Sequence, residues 1–341
     1  MNPTALQRCL IGGALGDSVG LPLEGIGAAR IAKLRSSPLR QSLIARKGMV
    51  SDDTEHAIMT VLSLLQAGDD PDRFARKLAG RLPWWLASVP AGIGLATAKS
   101  IMRLMIGISP ARSGVWSAGN GPLMRAPAIG VWFAGDKVLR DRFVDASTLM
   151  THRDPRAIEC ARLIASAAAC LARQGNETTT AEILNELDDE ITGDEMRIRF
   201  PLLRQGLQEG DSVREFADRF TRKNGYVTGF APDSTAVSLF AWLRHRNDFR
   251  AAVESVIFAG GDTDTHAFIV GSIAGIECEE DAFPEDWRQN LRDWPINMGT
   301  IHSIARGTAR IYPCWPLSLV RNLAFLAIVL CHAFRRLLPP Y

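Results

Sequence analysis

Residues 155–171 read PRAIECARLIASAAACL, and the spacing in this stretch decides the fold. Ile158, Ala161, Ile164, Ala165, Ala168 and Leu171 recur at helical steps, laying one apolar stripe along a 3.6-residue period. The same stripe lies upstream, where Ile58, Val61, Leu62 and Leu65 fall at i, i+3, i+4 and i+7 after Asp53. Residues 236–243 and 265–276 also read as helices. The second of these is rich in Ala, Gly and Ser, so a neighbouring helix can approach it closely. Alternating strand patterns are rare, and no run of β-branched residues is bounded by turns. Asp69-Asp70-Pro71 and Lys223-Asn224-Gly225 punctuate between helices, and the acidic stretch 185–195 reads as a solvated helix–turn–helix face. No low-complexity linker or internal repeat divides the chain. One all-α domain accounts for it.

The 341 residues are 47% hydrophobic and 22% charged, enough apolar mass for a large core and too much for disorder or a disulfide-stapled scaffold. Thirty-nine Lys+Arg against 37 Asp+Glu leave a net charge of +2, which gives no general field for nucleic acid. The six cysteines form no C-x-x-C pair, and the start lacks the apolar run and cleavage site of a secretory signal. A reducing, cytoplasmic protein is expected.

Chemistry concentrates in two acidic clusters 210 residues apart, Ser51-Asp52-Asp53-Thr54 and Gly261-Asp262-Thr263-Asp264-Thr265, each just ahead of a helix. One carboxylate is enough to cap a helix. Two at each start repel one another unless a cation lies between them. All these candidate ligands are oxygens, which favours a hard cation, Mg²⁺ or Mn²⁺, over zinc.

Three further segments complete the pattern: Gly12 through Glu24, containing Gly16-Asp17-Ser18-Val19-Gly20; Gly119-Asn120-Gly121-Pro122-Leu123-Met124-Arg125; and Thr151-His152-Arg153-Asp154-Pro155. Together with the acidic clusters, in this order, they resemble the ADP-ribosylglycohydrolase family, which includes the dinitrogenase reductase-activating glycohydrolases and ADP-ribosyl-acceptor hydrolases. The resemblance implies a compact orthogonal helical bundle around a centre of two Mg²⁺ ions (Mn²⁺ the alternative) and a hydrolase that releases ADP-ribose. It implies that Ser51, Asp52 and Asp53 form one ligand set and Asp262, Asp264 and Thr265 the other. Glu24 matches an acidic residue on a loop that closes over substrate. Gly119, Asn120 and Gly121 match the loop lining the diphosphate and ribose, and His152 a residue near the cleft. Position 51 is Ser where Thr is more usual, and it keeps the hydroxyl.

The chemistry suits these residue types. Cleavage at the ribose anomeric carbon passes through an oxocarbenium-like state and needs a water on that carbon. Two hard cations can orient the ribose hydroxyls and acidify that water, and Glu24 or Asp264 can act as general base. The expected substrate is an ADP-ribosylated protein, with arginine the favoured linkage. The alternatives are an immunity protein that neutralises an ADP-ribosyltransferase toxin by hydrolysis or direct binding, or an inactive ADP-ribose-binding member. His56 and His266 are expected to be hydrogen-bonded, partly buried residues, and Trp84-Trp85 to be core rather than an adenine platform.

Residues 313–341 form a separate tail after a domain of residues 1–312. Residues 317–337 are expected to be an amphipathic helix that buries its Leu/Ile face and is dispensable for chemistry. Its charge-free run, residues 322–334, is short for a membrane span. Packing on the body is favoured over contact with an anionic membrane surface or a partner chain.

Overall fold

Eighteen α-helices, three single-turn 3₁₀ helices and one two-residue strand pair make up the regular structure of residues 2–220, 225–308 and 315–336, the residues described by a computed structural model. Those that build the core and the cleft are α1 (Pro3–Gly20), α2 (Asp52–Ala67), α3 (Pro71–Ala87), α4 (Ala126–Trp132), α5 (Pro155–Gln174), α6 (Ala231–Arg244), α7 (Thr263–Glu277) and α8 (Trp315–Arg335). The all-α expectation holds. Lys223 and Asn224, the expected 312/313 boundary and Leu337 lie outside the described residues.

Helices α1 and α7 form the most extensive pair in the molecule. Glycines at four-residue spacing allow it. A Cβ on Gly12 would stand 2.1 Å from the Gly271 carbonyl oxygen, one on Gly16 2.1 Å from that of Ala267, and one on Gly20 2.3 Å from that of Thr263. The contacts run in opposite directions along the two chains, so α1 and α7 are antiparallel, backbone against backbone. The C-terminal end of α1 thereby lies beside the acidic start of α7. Helix α5 crosses α4 in the same manner, with Gly130 against the Ala165 carbonyl at 2.1 Å from a built Cβ. The buried surface of α5 is wider than its sequence stripe, since Leu163 and Ala167 are also fully buried.

The helix starts follow their caps. Ser51 Oγ accepts from Asp53 N at 3.2 Å to open α2, Asp70 Oδ1 accepts from Asp72 N at 2.9 Å to open α3, and Asp154 Oδ1 accepts from Arg156 N at 3.0 Å to open α5. The acidic stretch 185–195 is, as read, the end of one helix, a turn and the start of another.

Two strands, β1 (Ile26–Gly27) and β2 (Gly260–Gly261), pair antiparallel and join the loop after Glu24 to the start of α7. Gly260 and Gly261 have φ of 75° and 97°, a region costly for residues with a Cβ. At Gly261 a Cβ would also stand 1.9 Å from the Val227 carbonyl oxygen.

The C-terminal helix corrects one expectation. Helix α8 forms, but it is turned over: Ser318, Arg321, Asn322, Phe325 and His332 are buried, while Leu317, Val320, Leu323, Leu330 and Phe334 are exposed. The polar face faces inward because the body supplies partners for it. Arg321 donates to Asp293 Oδ1 at 3.0 Å, to Glu55 Oε1 at 3.2 Å and to the Val50 carbonyl at 2.6 Å. Asn322 donates to Ser88 Oγ at 2.9 Å, and His332 Nε2 to the Pro22 carbonyl at 3.0 Å. A buried ion pair of this kind holds two carboxylates that would be costly alone, which fixes the helix by its polar side.

Candidate active site

The two acidic clusters meet. Thr265 Oγ1, at the start of α7, donates to Asp53 Oδ2 on α2 at 3.0 Å, and Ser51 Oγ reaches the same oxygen at 3.2 Å. Asp17 on α1 sets the angle of approach: its carboxylate accepts the Ser51 N–H at 2.9 and 3.0 Å and the Thr54 hydroxyl at 2.5 Å. On the far side Asn120 Nδ2 donates to Asp262 Oδ2 at 2.7 Å and to Ser234 Oγ at 3.2 Å.

Capping does not consume these acids. Ser51 caps α2, which leaves Asp52 and Asp53 surplus to that role. Asp262 stands at the cap position of α7 but makes no side-chain cap bond. Asp53 Oδ1 and Asp264 Oδ1 are buried and make no hydrogen bond. Buried carboxylate oxygens without donors are costly, and oxygen-only donors of this type match a hard divalent cation. The residues present therefore fit such an ion. Among the described residues no three acidic, His or Cys side chains close on one point, so the carboxylates form an open cluster and not a closed cage.

Their protonation reflects the crowding. Burial lifts Asp53 well above the usual carboxylate range, with Asp52, Asp17 and Asp262 adding to it. Burial likewise lifts Asp264, next to Glu24 and Asp262, and Asp52, next to Glu55 and Glu24. Asp17 is pushed up to about 7 by burial, against the pull of its hydrogen bonds from Thr54 and Ser51. Glu24 faces the cleft from its exposed rim. The surrounding protein and then Asp262 push it up to about 7, while Arg336 pulls it down. Its loop is tied down, with Gly25 N donating to the Gly261 carbonyl at 2.8 Å and Arg336 Nη1 to the Glu24 carbonyl at 2.9 Å.

A cleft of about 600 Å³ opens over the cluster. Of the residues singled out in the sequence, Glu24, Asp52, Asp53, Gly119, Asn120, Gly121, His152, Asp262, Asp264 and Thr265 line it. Ser51 lies beneath, as the cap. The glycine loop has His152 against it: Cβ atoms on Gly119 and Gly121 would stand 3.2 and 3.1 Å from the imidazole. Burial and Arg125 bring His152 down to about 3, so the ring is neutral.

Asp17 and Arg125 stood inside the sequence motifs without an assigned role, and both brace the site. Buried Arg125 donates to Ser147 Oγ at 2.8 Å, Thr151 Oγ1 at 2.8 Å and the Gly121 carbonyl at 3.3 Å, fixing the glycine loop from below. Tyr226, Thr228 and Gly229 also line the cleft, and no spacing marked them. His56 and His266 do find partners, Arg125 Nη1 at 3.3 Å and Ser234 Oγ at 2.9 Å, but they are fully rather than partly buried. Trp85 is core, donating to Glu55 Oε2 at 2.5 Å, while Trp84 is exposed and packs on Trp315. Neither lines the cleft.

The fold and site define an all-helical protein with a polar, carboxylate-floored cleft between helix starts. The chain belongs to the ADP-ribosylglycohydrolase family, whose model matches residues 4–315, and that family hydrolyses ADP-ribose linkages. It is 28% identical over 298 residues to an uncharacterised protein of Archaeoglobus fulgidus, covering 84% of this chain and 91% of that one. It is 26% identical to ADP-ribosylhydrolase ARH3 of Gallus gallus, covering 84% and 89%. It is 24% identical to the ADP-ribosyl-[dinitrogen reductase] glycohydrolase of Rhodospirillum rubrum, covering 85% and 92%. Among solved structures, an ADP-ribosylglycohydrolase-related protein complex shares the fold with a TM-score of 0.66 at 21% identity, covering 94% of this chain and 98% of that one.

Proposed function

We propose that the protein is a Mg²⁺-dependent hydrolase that cleaves the glycosidic bond of ADP-ribosylated protein, arginine-linked by preference, and releases ADP-ribose. The observation that carries this is the contact of Thr265 with Asp53 at 3.0 Å, which joins two distant clusters around bare carboxylate oxygens on Asp53 and Asp264. Asp52, Asp53, Asp262 and Asp264, with the hydroxyls of Ser51 and Thr265, would hold two Mg²⁺ ions. When bound, these supply Lewis-acid polarisation of the ribose and of water.

This chain's own residues do the rest. Residues 119–121 line the cleft, with the Gly119 N–H held by Ser117 Oγ at 3.2 Å and the Asn120 N–H by the Gly229 carbonyl at 2.9 Å, and this loop would border the diphosphate. Neutral His152 and buried Arg125 hold that loop in place. Glu24 can take a proton from the attacking water, since a carboxyl poised near neutral pH is suited to general-base work. Asp264 is the second candidate for that proton. The arginine preference follows the bacterial-style motifs of the sequence.

Incubation with arginine-, serine- and nucleotide-linked ADP-ribose, with Mg²⁺ or with a chelator, tests the proposal by the ADP-ribose released. Release from the arginine conjugate that stops with chelator and returns with Mg²⁺ is expected. Chelator-insensitive release would overturn the metal dependence, and release from another conjugate alone would overturn the linkage. No release from any conjugate by the folded, Mg²⁺-loaded protein would overturn hydrolysis itself.

A further inference from the structure

Helix α8 presents to solvent a face that a water-soluble body has no use for. Val320, Leu323, Ala327, Leu330 and Phe334 follow one another at three- and four-residue steps on its exposed side, and Phe334 is 68% exposed. At 1.5 Å per residue, the stripe from Val320 to Phe334 runs over roughly 21 Å of this 21-residue helix. An apolar strip of that length is rare on a monomer and marks an interface.

The chain beside it supplies the second observation. Residues 25–51 carry six cations, Arg30, Lys33, Arg35, Arg40, Arg46 and Lys47, and no carboxylate. In a chain whose charges otherwise nearly balance, this is a strong local excess. The segment runs along α8: Leu43 and Met49 pack with Phe325 at the middle of the helix, and Arg30 reaches the Arg336 carbonyl at its end. Arg30, Lys33, Arg40, Arg46 and Lys47 are all exposed, as is Ile44 between the last pair and Leu43. Arg335 adds a further exposed cation at the end of the apolar stripe.

We infer that this face docks on an anionic lipid surface, with α8 lying in the plane of the interface. Apolar side chains entering the headgroup boundary beside a row of Lys and Arg are what peripheral amphipathic helices use. A second copy of the chain fits less well, because an isologous contact would bring two basic segments together. Spanning the bilayer is disfavoured by the inward face: leaving the body would strip Arg321 from Asp293 and Glu55 and carry a guanidinium into hydrocarbon. By length and composition the helix is apolar enough to cross a membrane, but one side of it is already committed to the protein.

The test is co-sedimentation of the full chain with phosphatidylcholine vesicles, with and without phosphatidylglycerol, at low and high salt. Binding to the anionic vesicles that weakens as salt rises is expected, with little on neutral ones. Leu323→Glu combined with Leu330→Glu lies on the exposed face and should leave melting and ADP-ribose release unchanged while abolishing vesicle binding. Arg30→Glu combined with Lys33→Glu should weaken it by roughly tenfold or more. Absence of binding to anionic vesicles, or equal binding to neutral ones, would overturn the inference. So would a dimer in sedimentation velocity that the Leu323/Leu330 pair disrupts, since the face would then belong to a second copy.

Discussion

Asp53 holds one oxygen against the hydroxyls of Thr265 and Ser51 and leaves the other bare. That division makes it and Asp264 the residues most sensitive to substitution. Asp264→Ala should abolish Mg²⁺-dependent release of ADP-ribose while leaving the fold intact, checked by turnover and circular dichroism together. Glu24→Gln keeps the shape and removes the basicity. It should lower turnover by about 10²–10⁴ with ADP-ribose affinity nearly unchanged in calorimetry. Unchanged turnover would transfer the general-base role to a cluster aspartate. The raised carboxyls also fix a pH dependence. In the metal-free chain, Asp17, Asp53 and Asp264 bind more protons folded than unfolded between their ordinary range and their raised values. Stability therefore falls as pH rises from about 4 toward 7 and beyond. Added Mg²⁺ should raise the melting temperature more at pH 8 than at pH 5.5. An equal rise at both would show that the cation binds elsewhere.

Between elements, the glycine stripe of α1 against α7 is what makes the site possible. Gly16→Leu would drive a side chain into the Ala267 carbonyl, 2.1 Å from the built Cβ. Backbone cannot move aside as a flexible side chain can, so a loss above about 4 kcal/mol is expected in denaturant unfolding. The inward face of α8 gives a second test. Arg321→Ala leaves Asp293 and Glu55 buried without their cation, with Asp293 fully enclosed. The expected cost is about 3–5 kcal/mol. Turnover should fall as well, because Arg321 also holds the Val50 carbonyl immediately ahead of Ser51, Asp52 and Asp53.

At the scale of the whole molecule, α8 touches both segments that carry the chemistry. His332 and Arg336 hold the carbonyls of Pro22 and Glu24, and Arg321 holds the approach to the first acidic cluster. A chain ending at residue 308 should therefore melt lower and lose ADP-ribose release. That outcome reverses the expectation of a dispensable tail. Full turnover in a folded, Mg²⁺-binding truncation would restore it.

How much of this was legible beforehand depends on the range of the interaction. Helix content followed from local spacing, because an amphipathic period is written in consecutive residues. The acidic clusters, the glycine loop and Glu24 were legible as residue types in order, and the cleft gathers them. Asp17 and Arg125 were visible only as letters in a motif, because their work is done through hydrogen bonds to residues tens of positions away. Tyr226 carried no signal at all. The orientation of α8 could not be read from its own sequence, where hydrophobicity pointed the apolar face inward. It was decided by Asp293, Glu55, Ser88 and Pro22. Scattered along the chain, they become a single polar surface only once it is folded, and a buried guanidinium with two carboxylates outweighs a stripe of leucines.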